Sequence, residues 1–422
     1  MKELLSRTIA LWHESPTCLP PFARSFSPEE QAAREKELEA FLGSIQSECR
    51  SLPRTRSDRQ AAHQRITSAF VRFAAVGLDL EPRHLDLLLE GGFAAIGTHL
   101  ARQARRFEPA VSTADILQAS RNAWTACALQ VLLGHQMRLT PAIFAYSMLY
   151  PYTDNYLDNP AVSRQAKLGF SLGFGRRLAG EVIAPANQHE AAIWRLVGMI
   201  EEQYPRTGWP QVYTTLLAIH HAQEDSLRLQ RQGASWEGAD VLELSFAKGG
   251  ASVLADAYLA AGSLSHEEAQ FGFDWGVALQ LADDLQDVRQ DRQDGVLTPF
   301  SQIAGRQPLD ELTSRTLNFS ASIARRMDSL AGSDSPALKE LVRKSASSLL
   351  IRSAGAAGEL YTSDYVAELE THSPFRFAFL ARQQEQLMRR RGAVSRLFEA
   401  FLEGDEDEPA FPLLPSSLMP RF

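Results

Sequence analysis

Aspartates, Asp283, Asp284, Asp287 and Asp291 among them, crowd the end of one apolar segment, FGFDWGVALQLADDLQDVRQDRQDG, residues 271–295. On a helix with Asp283 as origin, Asp287 falls about 40° away, Asp291 about 80° and Asp284 about 100°. Gly276, Gln280 and Phe273 share that arc, whereas Val277, Ala278, Leu281, Ala282, Leu285 and Val288 occupy the other side. Like charges at i,i+4 cost a helix roughly 0.2–0.5 kcal/mol per pair. Residues 271–282 are apolar nearly all round, as in a buried helix, so acids stacked at its end call for cations. Oxygen-only ligands select hard ions. Mg²⁺ keeps waters and bridges to substrate phosphates, which suits carboxylates that each offer one oxygen. The alternative, a solvated acidic helix end, fits poorly with Asp283-Asp284 lying so close to the apolar run.

A second acidic pair lies in YPYTDNYLDNP, residues 150–160. Asp154 and Asp158 are i,i+4 and share a face, with Phe144, Ser147 and Tyr150 above them; Pro151 is expected to kink the helix just before the acids. An ordinary acidic helix end accounts for this pair equally well on its own. Two carboxylates at the negative end of a helix dipole nevertheless break a local rule without evident gain, and bound metal would supply one.

Both patches end predicted helices whose upstream turns are apolar. If those helices pack side by side in one sense, the acids wall the mouth of an apolar cavity. Hard cations between such walls hold a diphosphate, and metal ions neutralise the charge developing on it as an allylic carbon–oxygen bond breaks. An apolar pocket below would shelter the carbocation from water.

The elements that must position these residues read as helices almost throughout, with strand signatures nearly absent. Ser112 with Asp115, and Thr140 followed by Pro141, are capped helix starts; Ser265 with Glu268 is a capping box ahead of the helix carrying the second acidic group. Helices are predicted over 28–47, 57–76, 82–107, 113–134, 141–158, 162–180, 188–203, 209–232, 237–261, 266–292, 308–331, 336–369 and 374–402. The expected architecture is all-α: a lead-in over 1–27, a single large helical bundle with an apolar central cavity over 28–402, and an acidic, proline-broken tail over 403–422.

Composition fits that picture. The chain has 422 residues, 45% hydrophobic and 22% charged, enough to bury a large core. A net charge of −8 speaks against a nucleic-acid binder. Cys18, Cys49 and Cys127 form no metal or disulfide spacing. No apolar run reaches about 18 residues and the N-terminus lacks a signal-peptide core, so a cytoplasmic protein without transmembrane segments is expected.

These residues resemble the class I isoprenoid synthase superfamily: polyprenyl diphosphate synthases, squalene and phytoene synthases, and terpene cyclases. DNYLD at 154–158 looks like the first aspartate-rich motif with Asn155 in place of its second Asp, and Tyr156-Leu157-Asp158-Asn159 is similar to the DYLDN-type motif of bacterial large-terpene synthases. DDLQD at 283–287 resembles the second motif of chain-elongating synthases, and Asp283, Asp287 and Asp291 also fit the i, i+4, i+8 metal triad of cyclases. FAKGGASVLADAYLAAG at 246–262 looks like the helix that carries Lys-Thr in polyprenyl synthases, with Gly249 where Thr is usual; the resemblance makes Lys248 a diphosphate contact. HHAQEDSLRLQ at 220–230 occupies the place of a GQxxD-like segment.

The resemblance implies Mg²⁺, normally three ions and with Mn²⁺ as the alternative, and a prenyl diphosphate substrate. Arg289 and Arg292 flank the acids, where they would hold diphosphate or pair with aspartates. No GGKxxRP co-substrate segment is present, since Gly91-Gly92 is followed by Phe93 and Ala94, and only Arg164 follows the first motif. That favours a terpene synthase releasing diphosphate plus a hydrocarbon or alcohol. A prenyltransferase of the same fold, chain-elongating or head-to-head condensing, is one alternative. A non-catalytic helical lipid- or partner-binding protein is another, and a homodimer is allowed by all three. His220, His221, Glu224 and Asp225 read as surface or core polar groups, Arg389–Arg391 as a solvated basic cluster, and Tyr361 and Tyr365 as late-helix residues placed near the site by analogy alone.

Overall fold

Caps and apolar periodicity are realised as helices over most of the described residues. The structure, a computed structural model, describes residues 1–89, 92–232, 238–330, 335–405, 408 and 411; the side chains of 158, 227–232, 238 and 239 fall outside that set. The elements in order are α1 (Lys2–Glu14), α2 (Pro28–Arg50), α3 (Arg56–Gly77), α4 (Pro82–Leu89), α5 (Phe93–Phe107), α6 (Thr113–Leu132), α7 (Pro141–Asp158), α8 (Arg164–Leu178) and α9 (Gln188–Gln203). They continue with α10 (Pro210–Gln232), α11 (Gly238–Ala261), α12 (His266–Gln286), α13 (Val288–Asp294), α14 (Pro299–Ile303), α15 (Asp310–Arg326), α16 (Pro336–Ala356), α17 (Ser363–Thr371) and α18 (Phe377–Leu402). Among the described residues there is no β-strand, only an isolated bridge between Ala304 and Gln307. The fold is all-α.

The predicted caps form. Thr140 accepts the amide of Ile143 with Pro141 opening α7, Ser265 and Glu268 cap α12 reciprocally, and Ser112 and Asp115 pair ahead of α6. Three expected long helices are divided: 82–107 into α4 and α5, 266–292 into α12 and α13, and 336–369 into α16 and α17. The N-terminal residues assigned to a lead-in contain α1, and the short α14 was not expected. Pro151, where a kink is expected, lies inside α7, which runs on to Asp158.

Two compact units can be distinguished. The first comprises Met1–Pro20, Thr125–Ser335 and Glu359–Tyr361; the second comprises Pro21–Trp124, Pro336–Gly358 and Thr362–Phe422.

In the first unit α11 and α12 form the central pair, with α10, α7, α14 and α1 against α11 and with α15 against α12. Glycine makes the central contact close. A Cβ on Gly276 would lie 2.2 Å from the carbonyl oxygen of Gly249, and one on Gly250 would lie 2.4 Å from the Phe273 ring. Glycine inside a helix costs roughly 0.5–1 kcal/mol relative to alanine, so close backbone approach is what these positions supply. Helix α1 belongs to this core: Trp12 is 2% exposed and meets Phe246 and Phe319 edge-on, at 5.6 and 5.4 Å between ring centroids.

In the second unit α2 and α3 pack together and α18 covers α2. Phe41 stacks on Phe73, and Phe375, in the loop between α17 and α18, stacks on Phe73 as well. Buried charges here are paired, Arg59 with Glu408 and Glu35 with Arg376, as removal of charge from water requires. No helix among the described residues is long and apolar enough to cross a membrane.

Candidate functional site

The acidic strip belongs to the first unit and lies where α12 passes into α13. Helix α12 stops at Gln286 because Asp287 departs to φ −99°, ψ 6°. The backbone bonding carries through the break: the amide of Asp287 donates to the carbonyl of Asp283 at 2.9 Å, and that of Asp291 to Asp287 at 2.9 Å. Asp283, Asp287 and Asp291 therefore keep their i, i+4, i+8 relation despite the division. Asp283 is exposed, and Asp287 and Asp291 are half-buried.

Asp284 goes elsewhere. It is 5% exposed, and both its oxygens accept hydrogen bonds, Oδ1 from Gln280 Nε2 at 2.7 Å and Oδ2 from Ser245 Oγ at 2.9 Å. Ser245 stands one turn before Lys248 on α11, so Asp284 ties the two central helices together. Burial pushes its carboxyl up to about 7; the charge of Asp283 adds to this, whereas the bonds from Gln280 and Ser245 and the Lys248 ammonium oppose it. Asp291 is likewise pushed up to about 7, first by burial and then by Asp284, Asp287 and Asp283. Burial, reinforced by neighbouring carboxylates, thus raises two of the acids at this end of α12.

The sign of the resulting pH dependence follows. A carboxyl raised from 3.8 to about 7 binds its proton more tightly in the folded state than in the unfolded chain. Its stabilisation of the metal-free protein is complete below about pH 4 and is lost as pH rises through about 7. Asp284→Asn should remove this contribution. In urea unfolding measured from pH 4 to 8, the stability difference between wild type and variant should drift by more than about 1 kcal/mol in that direction. A constant difference would show that Asp284 does not titrate there.

The residues assigned to a cavity wall have identifiable surroundings. Phe144 and Ser147 are fully buried in α7, whereas Tyr150 is exposed at 39%. Phe273 fills the space over Gly250, Gly276 lies against the Gly249 backbone, and Gln280 bonds Asp284 while its Cβ covers Gly249. Gly249, where the resembling motif has threonine, is thereby taken up by helix contact.

Asp154 lies half-buried near the end of α7 and accepts a 3.4 Å bond from Thr153 Oγ1; the side chain of Asp158 lies outside the described residues. Helix α7 is tied to α11 through Tyr146, whose hydroxyl donates to the Ser252 carbonyl at 3.1 Å. Burial raises the Tyr146 hydroxyl strongly, and the charges of Asp256 and Asp154 raise it further. Asp256, 1% exposed on α11, is a buried carboxylate that the sequence reading did not single out, although it lies eight residues after Lys248.

The cations divide. Arg289 makes a two-pronged ion pair with Glu359, so its pairing partner is a glutamate rather than an aspartate of the strip. Arg292 is exposed, with its guanidinium laid over Gly305. Lys248 is half-buried, close enough to Asp284 to lower its pKa, and makes no ion pair among the described residues. His220 is 8% exposed, edge-on to Phe174 and 3.9 Å from Glu224; burial lowers its pKa and keeps it neutral. His221 and Asp225 are exposed. Tyr361 is buried and shares a 2.8 Å bond with Thr313, and Tyr365 belongs to the second unit.

The donor chemistry of the strip fits a hard divalent cation: oxygen ligands in charge excess, with Lys248 as a nearby cation. No three His, Cys, Asp or Glu side chains among the described residues converge to hold an ion on protein ligands alone. Mg²⁺ does not need that, because it uses one or two carboxylates and fills its octahedron with water and phosphate. No family model and no curated protein matches the chain.

Proposed function

We propose that the chain is a Mg²⁺-dependent enzyme that ionises a prenyl diphosphate and releases inorganic diphosphate, in the manner of a class I terpene synthase. The observation that carries this reading is the strip Asp283, Asp287 and Asp291. Its register is held by continuous backbone bonding, and burial, reinforced by the neighbouring aspartates, pushes the Asp291 carboxyl up to about 7. One or two of these carboxylates at a time, with water and phosphate oxygens, would hold each metal ion, which when bound neutralises charge developing on the leaving diphosphate. Asp284 does not face that task; it fixes the end of α12 against α11 through Ser245 and so orients its three neighbours. Lys248, one turn from Ser245, offers its ammonium to diphosphate oxygens as a point charge. Asp154 and Asp158 would supply the second acidic wall.

The same metal site would serve a prenyltransferase, from which the missing co-substrate segment separates it. The experiment is a thermal shift series with inorganic diphosphate. Diphosphate alone should leave the melting temperature unchanged. Diphosphate with Mg²⁺ should raise it by several degrees, since a ligand at 100 times its Kd adds about 2.7 kcal/mol. Stabilisation by apolar ligands with no metal dependence would replace this reading with that of a lipid-binding protein.

A further inference from the structure

Away from the acidic strip, the first unit holds a cavity of about 370 Å³ between α1, α12 and the end of α15. It lies near the opposite end of α12: Asp274 in its wall precedes Asp283 by nine residues, roughly 13 Å of helix rise. Its wall combines Leu11, Phe271 and Leu330 with two guanidinium groups, Arg7 and Arg326, and with the exposed carboxylate of Glu267 at the side.

The polar part of the wall is built from buried groups. Asp274, 1% exposed, takes an ion pair from Arg326 Nη1 and hydrogen bonds from Thr8 Oγ1 and Gln270 Nε2, the last at 2.8 Å. This carboxylate is therefore committed to the wall. It holds the Arg326 guanidinium at the cavity while engaging only one of its nitrogens, and Nε and Nη2 make no hydrogen bond among the described residues. Arg7, exposed on α1, uses Nη1 on His266, and its other donors make no hydrogen bond among the described residues. Gln270 is 2% exposed, its Nε2 is fully used on Thr8, Asp274 and the Leu4 carbonyl, and its Oε1 is buried without a partner.

We propose that this cavity is a second small-molecule site, separate from the acidic strip. Its ligand is an organic phosphate monoester with a short apolar body. The phosphate oxygens meet the free donors of Arg7 and Arg326, which match phosphate geometry. The hydrocarbon lies on Phe271, Leu11 and Leu330. The volume suits a molecule of modest size, near the lower end of ordinary ligand pockets. Binding needs no metal ion. That property makes the proposal independent of the function proposed above.

The test is isothermal titration of the full chain with octyl phosphate below its micellar concentration, in EDTA so that the acidic strip is without metal. One molecule should bind per chain. Arg7→Glu, which reverses an exposed charge, and Ser329→Trp, which fills the exposed rim, should each weaken binding at least tenfold; both positions are exposed, so folding is kept. Binding should persist in Asp283→Ala/Asp287→Ala, and octyl glucoside, which lacks the charge, should bind at least tenfold more weakly. Absence of binding at millimolar octyl phosphate would overturn the proposal. So would binding that both cavity variants leave intact, or equal affinity for octyl glucoside.

Discussion

Replacing Asp287 with alanine is expected to lower metal-dependent diphosphate release by about 10²–10³-fold, the loss typical of removing one electrostatic stabiliser of developing charge. The metal-free protein should be as stable as wild type or slightly more so. Asp287 does not cap α13 with its side chain, and it has like-charged neighbours four residues away on both sides, Asp283 and Asp291. Relief of each repulsion is worth roughly 0.2–0.5 kcal/mol. Steady-state release of diphosphate, measured beside urea unfolding in EDTA, separates the two effects. A variant that loses activity and stability together would make Asp287 a structural residue. Asp284→Ala should give that opposite pattern, because it leaves the Ser245 and Gln280 donors of the α11–α12 contact without their acceptor.

The largest effect on stability is expected at Gly276. A methyl group there would lie 2.2 Å from the Gly249 carbonyl oxygen and 2.9 Å from its carbon, so relief requires α11 and α12 to separate rather than a side chain to turn. Overpacking of a good core costs typically 1–3 kcal/mol and occasionally more. Backbone on both sides puts Gly276→Ala at or above the top of that range, about 3 kcal/mol. Gly169→Ala on α8 is the control: its added Cβ meets nothing within 4 Å, and it should stabilise by roughly 0.5–1 kcal/mol. Opposite signs in denaturant unfolding would establish the close contact. Equal gains from both would contradict it.

Much of the all-α architecture was legible because helix starts carry local chemistry. Ser265 with Glu268, Thr140 with Pro141 and Ser112 with Asp115 each satisfy backbone donors within four residues, so the signal and its effect lie in the same stretch of sequence. Helix α1 escaped because its buried stripe, Leu4, Thr8 and Trp12, is interrupted by a threonine. The reason for that threonine is Asp274, 266 residues away. The break at Asp287 carries neither glycine nor proline, and backbone bonds span it in both directions, so no local punctuation marks it.

The strip itself was visible as spacing, and Asp283, Asp287 and Asp291 need nothing beyond the helical period to be grouped. Asp284 was not separable from them by that means, because about 100° of helix arc does not say which neighbour occupies it. Ser245 decides, and it lies on another helix. Gly276 and Phe273 illustrate the same limit. A small residue and an aromatic above an acidic strip read as the lining of a cavity, yet they meet Gly249 and Gly250. Periodicity identifies a face and leaves open what the face meets.

The most direct test of the central claim is diphosphate release by the full chain with Mg²⁺ and prenyl diphosphates, from geranyl upward in length, with extraction of the organic product. Release is expected from at least one member of the series, abolished by EDTA and by Asp283→Ala/Asp287→Ala, with a hydrocarbon or alcohol as product. Product formation only when isopentenyl diphosphate is added would transfer the site to a chain-elongating enzyme. No release across the whole series, with folded protein and metal present, would contradict the claim.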